Sequence, residues 1–328
     1  MKIAVVGLGA VGGLLAGRLA SAGHRVSALA RGATLAAVRE RGLRLHWSGA
    51  ETSVAIDAHE DAAALGPQDL VIAAVKGPAL TAAAASMQPL LGPATIVLPA
   101  MNGVPWWFLQ TAPDSVRIAD RRLSRVDPGG RIEAALPLDR VLACVVHLTC
   151  SSPEPGRVRH GFGDRFIVGE PRGGSSGRVD EIVALLCAAG FNGEASPDIR
   201  QDIWYKLWGN MTMNPVSALT GAESHHIIDD PLVLAFMLDT MQEAARVGAL
   251  IGCRIDQSGE ERMAVARQLG GFKTSMLQDS LAGRPLEIDA LVGAVHDIGS
   301  RLGVPMPHTG ALLGLTRLMA RERGLYPA

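Results

Sequence analysis

The stretch KIAVVGLGAVGG, residues 2–13, decides the fold of the first part of the chain. An apolar run ends at Gly7, and Gly9 and Gly12 complete a GxGxxG pattern at the start of a helical run. Gly7 permits a tight turn, Gly9 lets the backbone approach a pyrophosphate, and Gly12 lets helix and strand pack closely. Because a helix N-terminus offers N–H donors to phosphate, the loop predicts a dinucleotide site, a plain glycine-rich turn being the alternative. The predicted binding residues are Gly7, Leu8, Gly9, Ala10, Val11 and Gly12.

Two basic residues follow strands of the same predicted sheet. The second strand ends in ALAR (residues 28–31), with no acid where NAD-binding proteins usually carry one for the ribose hydroxyls. The Arg31 guanidinium suits the 2′-phosphate that distinguishes NADPH from NADH. Lys76 follows another strand, at the edge where ligands collect in such sheets. We therefore predict NADPH as the cofactor, bound by Arg31 and Lys76; ordinary solvated side chains are the alternative for both.

Apolar runs alternate with helical stretches through the first half of the chain. Continuous aliphatic runs separated by helices are typical of parallel strands buried on both faces, the doubly wound arrangement. The predicted strands are residues 2–7, 26–30, 69–75, 94–98, 140–149 and 157–169, the last two closing the sheet.

From residue 198 onward the strand pattern ends, and apolar residues recur at helical spacing. The predicted fold class is therefore α/β, with a Rossmann-type doubly wound sheet in residues 1–197 and an all-α domain in residues 198–328. The polar segment 110–138, rich in Arg, Asp, Gly and Pro, has no role that the sequence explains. The predicted helices of the second domain are residues 199–219, 231–252, 258–282 and 285–302.

The composition limits the classes of partner. With 48% hydrophobic and 19% charged residues, the 328-residue chain can bury the cores of two domains. Its 31 Lys and Arg against 32 Asp and Glu leave a net charge of −1 without a dense basic run, so we expect no nucleic-acid partner. The four cysteines are irregularly spaced, and we expect no metal site. We also expect no membrane span, no cleaved leader and a cytoplasmic location.

Three polar side chains recur at intervals of four in the first predicted helix of the second domain. Lys206, Asn210 and Asn214 share one helix face, and Trp204 and Trp208 lie beside them on an otherwise apolar element. Burying an ammonium and two amides without partners is costly, whereas a bound carboxylate with a neighbouring oxygen would satisfy them. The stripe therefore predicts a site for a small acid, with simple exposure to water as the alternative.

Several sequence blocks together resemble the ketopantoate reductases (2-dehydropantoate 2-reductases), and the resemblance covers nearly the whole chain. It implies NADPH-dependent reduction of 2-dehydropantoate to pantoate, in a cleft between the two domains. The blocks are the glycine loop with Arg31, Lys76 at a strand end, Asn102-Gly103, the 206–214 stripe, TSMLQD at residues 274–279 and EID at residues 287–289.

The resemblance also implies a role for each residue. Lys206 would be the general acid that protonates the ketone oxygen as hydride arrives from the nicotinamide. Glu287 would bind and orient the substrate, although taken alone it fits the first turn of a helix equally well. Asn102 would lie between substrate and cofactor. The hydroxyl and carboxylate of the substrate would be bound by Asn210, Asn214 and Ser275.

Alternative functions stay open. Met101 stands where the family often has His, and both Pro105-Trp106-Trp107 and the 110–138 segment depart from its compact members. The 2-oxo acid could therefore be another one, as in an NAD(P)-dependent dehydrogenase of D-2-hydroxy acids of the mandelate type. A non-catalytic NADP-sensing regulator is a second alternative. A homodimer is suggested by analogy alone.

Overall fold

The computed structural model describes residues 1–268 and 270–327. Its internal contacts divide the chain into two compact units. The first comprises Met1–Met101 and Gly130–Ile199, and the second comprises residues 102–129 and the residues from 200 onward. Residues 102–129 therefore fold with the C-terminal part of the chain, although they interrupt the first unit. The predicted domains, residues 1–197 and 198–328, stay predictions.

The first unit contains strands and helices in alternation. Its helices are α1 (Ala10–Ser21), α2 (Gly32–Arg41), α3 (Leu80–Ser86), α4 (Arg131–Ala135) and α5 (Gly177–Ala188). Its strands are β1 (Lys2–Val6), β2 (Arg25–Leu29), β3 (Leu43–Trp47), β4 (Ala50–Val54), β5 (Asp57–His59), β6 (Gln68–Ala73), β7 (Leu91–Pro99), β8 (Ala143–His147), β9 (Cys150–Glu154), β10 (Arg157–His160), β11 (Arg165–Gly169) and β12 (Asn192–Ser196).

The main sheet of the first unit has the strand order β5-β2-β1-β6-β7. Its neighbouring strands all pair in parallel, and an isolated parallel bridge joins Val97 of β7 to Val141. The order reverses between β1 and β6, and in such sheets ligands bind beyond the carboxyl ends of the strands at the reversal. The predicted Rossmann-type fold is confirmed, and the glycine loop follows β1 at this reversal.

The core of the main sheet is aliphatic. Ile3 and Val5 of β1 and Ile72 of β6 are fully buried, as are Leu14 and Leu15 of α1. Full burial of one such side chain contributes about 1.5–3 kcal/mol. The continuous apolar runs that predict these strands therefore also supply much of the stability that holds the glycine loop in place.

Two smaller sheets complete the first unit, with the strand orders β4-β3-β10-β9 and β12-β11-β8. The prediction of a single strand over residues 157–169 is wrong, because β10 and β11 belong to different sheets. Between them Gly163 has a φ of 76°, a left-handed conformation that ends an extended chain. The sequence does not predict β4 either, since its residues are mostly exposed and show no apolar alternation.

The second unit is helical. The prediction of one helix over residues 258–282 is wrong: Gly270 has a φ of 74°, and Thr274 caps a new helix by accepting a hydrogen bond from the Leu277 N–H at 3.2 Å. A π-helical turn, Asp289–Gly293, precedes α11. The helices are α6 (Ile199–Thr220), α7 (Ser224–Asp229), α8 (Pro231–Leu250), α9 (Gly259–Gln268), α10 (Ser275–Leu281), α11 (Ala294–Arg301) and the unpredicted α12 (Pro307–Glu322).

A helix that crosses a membrane has to be both long and apolar. Across residues 1–268 and 270–327, every helix falls short of the combined length and apolarity that a crossing demands.

Residues 102–129 are anchored to α6 by aromatic side chains. Residues 106–109 are at most 2% exposed, and the ring of Phe108 stacks on Trp204 with their centroids 5.8 Å apart. Arg200, itself 5% exposed, donates a hydrogen bond to the Phe108 carbonyl at 3.1 Å and covers the Phe108 ring at 4.8 Å. The start of the segment that the sequence leaves unexplained is thus part of the core of the second unit.

Candidate active site

The three motif glycines differ in what a side chain would meet. Gly7 has a φ of 94°, and a Cβ built there would lie 2.9 Å from Val75 and 3.0 Å from the Ala74 carbonyl oxygen. A Cβ on Gly12 would overlap the Gly7 carbonyl oxygen. A Cβ on Gly9 would meet no atom of the described chain within 4 Å. The fold itself therefore requires Gly7 and Gly12, whereas Gly9 keeps the space over the loop open.

The glycine loop presents backbone donors at the start of α1. Gly9 is exposed and is the N-cap residue of α1, and its carbonyl accepts the Gly13 N–H at 2.8 Å. Leu8 is buried, while Ala10 and Val11 are half-buried. The N–H groups in the first turn of a helix have no partner within that helix. They suit a pyrophosphate that approaches over Gly9, so the residues present fit a dinucleotide.

Arg31 and Lys76 follow β2 and β6, the two strands that flank β1. Arg31 is exposed and is the N-cap residue of α2, and Lys76 is half-buried before the 3₁₀ turn Gly77–Ala79. Burial raises the pKa of the nearby Cys150 thiol to about 12 against the opposing charge of Lys76, so this thiol is neutral at physiological pH. Cations beyond both flanking strands suit a ligand that carries several phosphates.

The polar stripe lies on α6. The Lys206 ammonium donates a hydrogen bond to Oδ1 of Asn102 at 2.7 Å. Lys206 and Asn210 are half-buried, and Asn214 is 5% exposed. Because α6 is continuous from Ile199 to Thr220, the three polar residues share one face of the helix. The structure thus brings two of the predicted site residues, Lys206 and Asn102, into direct contact.

The residue after Asn102 packs against the segment that carries Glu287. Gly103 has a φ of 89°, and a Cβ there would lie 2.6–2.8 Å from atoms of Ala290, whose carbonyl accepts the Val104 N–H at 2.8 Å. Glu287 is 7% exposed and stands three residues before Ala290. Sequence analysis names Gly103 only as part of the Asn102-Gly103 block and gives it no role of its own, although an Asn-Gly pair shortly after a strand is a signal for a turn.

Ser275 is the first residue of α10, and it is exposed. Its position beside the other predicted substrate residues stays a prediction. The structure also adds Asp289, whose Oδ2 accepts a hydrogen bond from the Tyr326 hydroxyl at 2.7 Å. The EID block points to Asp289 in the sequence, but nothing near Tyr326 in the chain marks it as part of this cluster.

Comparison with known proteins identifies the family. Residues 3–113 match the family described as ketopantoate reductase PanE/ApbA, and residues 198–320 match the description of its C-terminal part. The 2-dehydropantoate 2-reductase of Mesorhizobium japonicum is 42% identical over 327 residues, which are 99% of this chain and 100% of that protein. The chain belongs to the ketopantoate reductase family. The predicted family is thereby confirmed, and with it the prediction of an oxidoreductase.

Comparison with solved structures extends the match to the fold. The crystal structure of a Ralstonia solanacearum MolK2 protein, assigned as a ketopantoate reductase, is 57% identical, covers 99% of both chains and has a TM-score of 0.94. The ternary structure of D-mandelate dehydrogenase with NADH and anilino(oxo)acetate has a TM-score of 0.84 over 99% of this chain and 100% of that one, at 21% identity. The second likeness shows a shared fold alone.

The different surroundings of Gly12 and Gly9 predict different effects of an added methyl group. Gly12→Ala is expected to destabilise the protein by about 1–3 kcal/mol, because the methyl overlaps backbone. Gly9→Ala should leave the thermal unfolding midpoint nearly unchanged but weaken NADPH binding by about tenfold or more, because the methyl occupies the space that a pyrophosphate needs. Differential scanning fluorimetry and a fluorescence titration with NADPH measure the two effects. An unchanged NADPH affinity in Gly9→Ala would contradict a pyrophosphate over this loop.

Proposed function

We propose that this protein reduces the ketone of 2-dehydropantoate to give pantoate, with NADPH as the reductant. The observation that carries the proposal is the 2.7 Å hydrogen bond from the Lys206 ammonium to Asn102, within the unit that also contains Glu287. A cation, an amide and a buried carboxylate form a suitable set of groups for a polar oxo acid. The 42% identical relative from Mesorhizobium japonicum, named 2-dehydropantoate 2-reductase, supports the choice of substrate.

The first unit would hold the nucleotide. The residues from Gly7 to Gly12 would bind its pyrophosphate, Arg31 its 2′-phosphate and Lys76 a further oxygen of the cofactor. Arg31 is exposed at the end of β2, where no acid stands to select a free ribose hydroxyl. When bound, NADPH supplies the hydride that adds to the ketone carbon.

Lys206 would act as the general acid. Negative charge develops on the ketone oxygen as its carbon is reduced, and an ammonium both stabilises that charge and supplies the proton. An ammonium carries three N–H donors, so one group can bond Asn102 and also meet a substrate oxygen. The role of Asn102 is then to fix the direction in which the Lys206 ammonium points.

Glu287 would select the substrate through a hydroxyl group. The carboxylate of Glu287, a residue that is 7% exposed, repels the carboxylate of any 2-oxo acid, so it favours a substrate that offers a hydrogen-bond donor elsewhere. 2-Dehydropantoate has a terminal hydroxyl that can donate to it, and pyruvate and phenylglyoxylate have none. The donors available for the substrate carboxylate are Asn210, Asn214 and Ser275.

A substrate profile tests the proposed reaction. The initial rate of NADPH oxidation would be measured with 2-dehydropantoate, pyruvate, 2-oxoisovalerate and phenylglyoxylate. The kcat/KM for 2-dehydropantoate should exceed the others by on the order of a hundredfold, because only an acid with that hydroxyl gains a hydrogen bond to the Glu287 carboxylate. A higher kcat/KM for phenylglyoxylate would instead identify a dehydrogenase of the mandelate type. NADPH binding without turnover of any acid would identify a regulator.

Lys206→Ala should lower kcat by on the order of a hundredfold or more while NADPH affinity stays unchanged, the usual scale for loss of a general acid. Lys2→Ala is a matched control, since Lys2 is an exposed lysine at the amino end of β1. It should keep the parental kcat. Equal turnover in Lys206→Ala and in the parent would remove Lys206 from the chemistry.

Arg31→Ala should raise the Kd for NADPH by about tenfold or more and leave the Kd for NADH nearly unchanged, because only NADPH carries the 2′-phosphate. Arg25→Ala is the control, since Arg25 is exposed at the amino end of the same strand. Equal losses for the two cofactors would contradict the assignment of Arg31 to the phosphate.

A homodimer and a cytoplasmic location stay predictions.

A further inference from the structure

The C-terminal residues of the described chain run along the segment that carries Glu287. The Leu286 N–H donates to the Leu325 carbonyl at 3.0 Å, and the Tyr326 hydroxyl donates to Oδ2 of Asp289 at 2.7 Å. One bond lies immediately before Glu287 in the chain and the other lies two residues after it. We call residues 325–327 the C-terminal tail. Two consecutive residues of this tail, Leu325 and Tyr326, therefore hold the chain on both sides of Glu287.

The tail is itself held on α12. Leu325 is 4% exposed, and the Tyr326 ring lies beneath the guanidinium carbons of Arg317 and Arg321, at 5.5 and 5.7 Å. Arg321 also donates to the Pro327 carbonyl at 3.2 Å. Because the ring and the backbone of the tail are both anchored, the Tyr326 hydroxyl is a fixed donor rather than a mobile one.

Asp289 has a second neighbour that competes for it. Arg125 lies 3.9 Å from Oδ1 of Asp289 while it donates to Asp297 at 2.8 Å. If the Tyr326 hydroxyl is removed, Arg125 still attracts the Asp289 carboxylate toward its own side. Burial and the hydrogen bond to Asp289 raise the pKa of Tyr326 to about 12, so the hydroxyl remains a donor across the physiological pH range.

Asp289 is also the first residue of the π-helical turn Asp289–Gly293. π-Helical turns are rare and occur frequently at functional sites. The bond from Tyr326 holds the first residue of this turn, and the packing of Gly103 on Ala290 holds the second. The direction in which Glu287 leaves the backbone thus depends on contacts from two distant parts of the chain.

We propose that Tyr326 is a positioning residue for substrate binding, which acts through Asp289 to orient the Glu287 carboxylate toward the hydroxyl of the oxo acid. The inference rests on the proposed role of Glu287 in binding that hydroxyl. Since Glu287 would contact a part of the substrate remote from the reacting carbon, a change in its orientation alters binding more than the chemical step.

Tyr326→Phe tests the inference, because it removes the hydroxyl and keeps the ring. The KM for 2-dehydropantoate should rise about three- to tenfold, the scale of one ordinary hydrogen bond, because Tyr326 acts on Glu287 only through Asp289. The value of kcat should change less than twofold, about the precision of such kinetic comparisons. The KM for NADPH and the thermal unfolding midpoint should stay at parental values.

Tyr205→Phe is the matched control. Tyr205 is the other of the two tyrosines of the chain, it belongs to the second unit, and its hydroxyl donates to Gln257 at 2.7 Å. A lost hydroxyl at this place should leave the KM for 2-dehydropantoate unchanged. An equal rise of KM in both variants would show a general structural effect and would overturn the positioning role.

Asp289→Asn and the double variant Tyr326→Phe/Asp289→Asn test whether the effect of Tyr326 on KM passes through Asp289. If Tyr326 acts through Asp289, the double variant should show about the same KM as Asp289→Asn alone, whereas independent effects would multiply. Multiplied effects would overturn the inference. Glu287→Gln distinguishes failure of this inference from failure of the proposed role of Glu287. A raised KM in Glu287→Gln with a parental KM in Tyr326→Phe refutes the positioning role of Tyr326 alone. A parental KM in Glu287→Gln refutes the proposed role of Glu287 as well.

Discussion

The half-buried ammonium of Lys206 needs a fixed polar partner, and the arrangement of the second unit follows from how that partner is supplied. Removing a cation from water is costly unless an oxygen replaces the water. Oδ1 of Asn102 does so at 2.7 Å, from a position 104 residues earlier in the chain. For this contact to exist, residues 102–129 have to fold with the C-terminal helices and not with the sheet that they interrupt. The burial of residues 106–109 and the packing of Gly103 on Ala290 hold them there.

Arginine supplies hydrogen bonds that residues 102–129 do not obtain from regular secondary structure. Backbone carbonyls outside helices and sheets still need donors, and a guanidinium offers five of them in one plane. Arg121 folds the segment on itself, and Arg125 joins it to Asp297 of α11. These arginines, which the sequence leaves unexplained, therefore have a structural use. Carbonyls of residues 108, 112, 113, 120 and 122 accept bonds from Arg200, Arg121 and Arg301.

The candidate site residues differ in how far sequence can predict them. The positive φ of Gly7 and the contact of Gly12 with the Gly7 carbonyl arise within one short stretch of chain, and a stripe such as that of Lys206 follows from helical periodicity, so both leave a local pattern. The contacts that fix Asn102 and Glu287 join residues far apart in the chain and leave no such pattern. Other elements were missed for related reasons: β4 is mostly exposed and shows no apolar alternation, and no local pattern reveals that β10 and β11 join different sheets.

The π-helical turn gives the segment after Glu287 one residue more per turn than a regular α-helix would hold. Deletion of a single residue there would restore the α-helix and rotate the preceding residues by about 100° around its axis, while α11 stays in place. Length variation at this turn is therefore a simple evolutionary route to a new direction for the carboxylate.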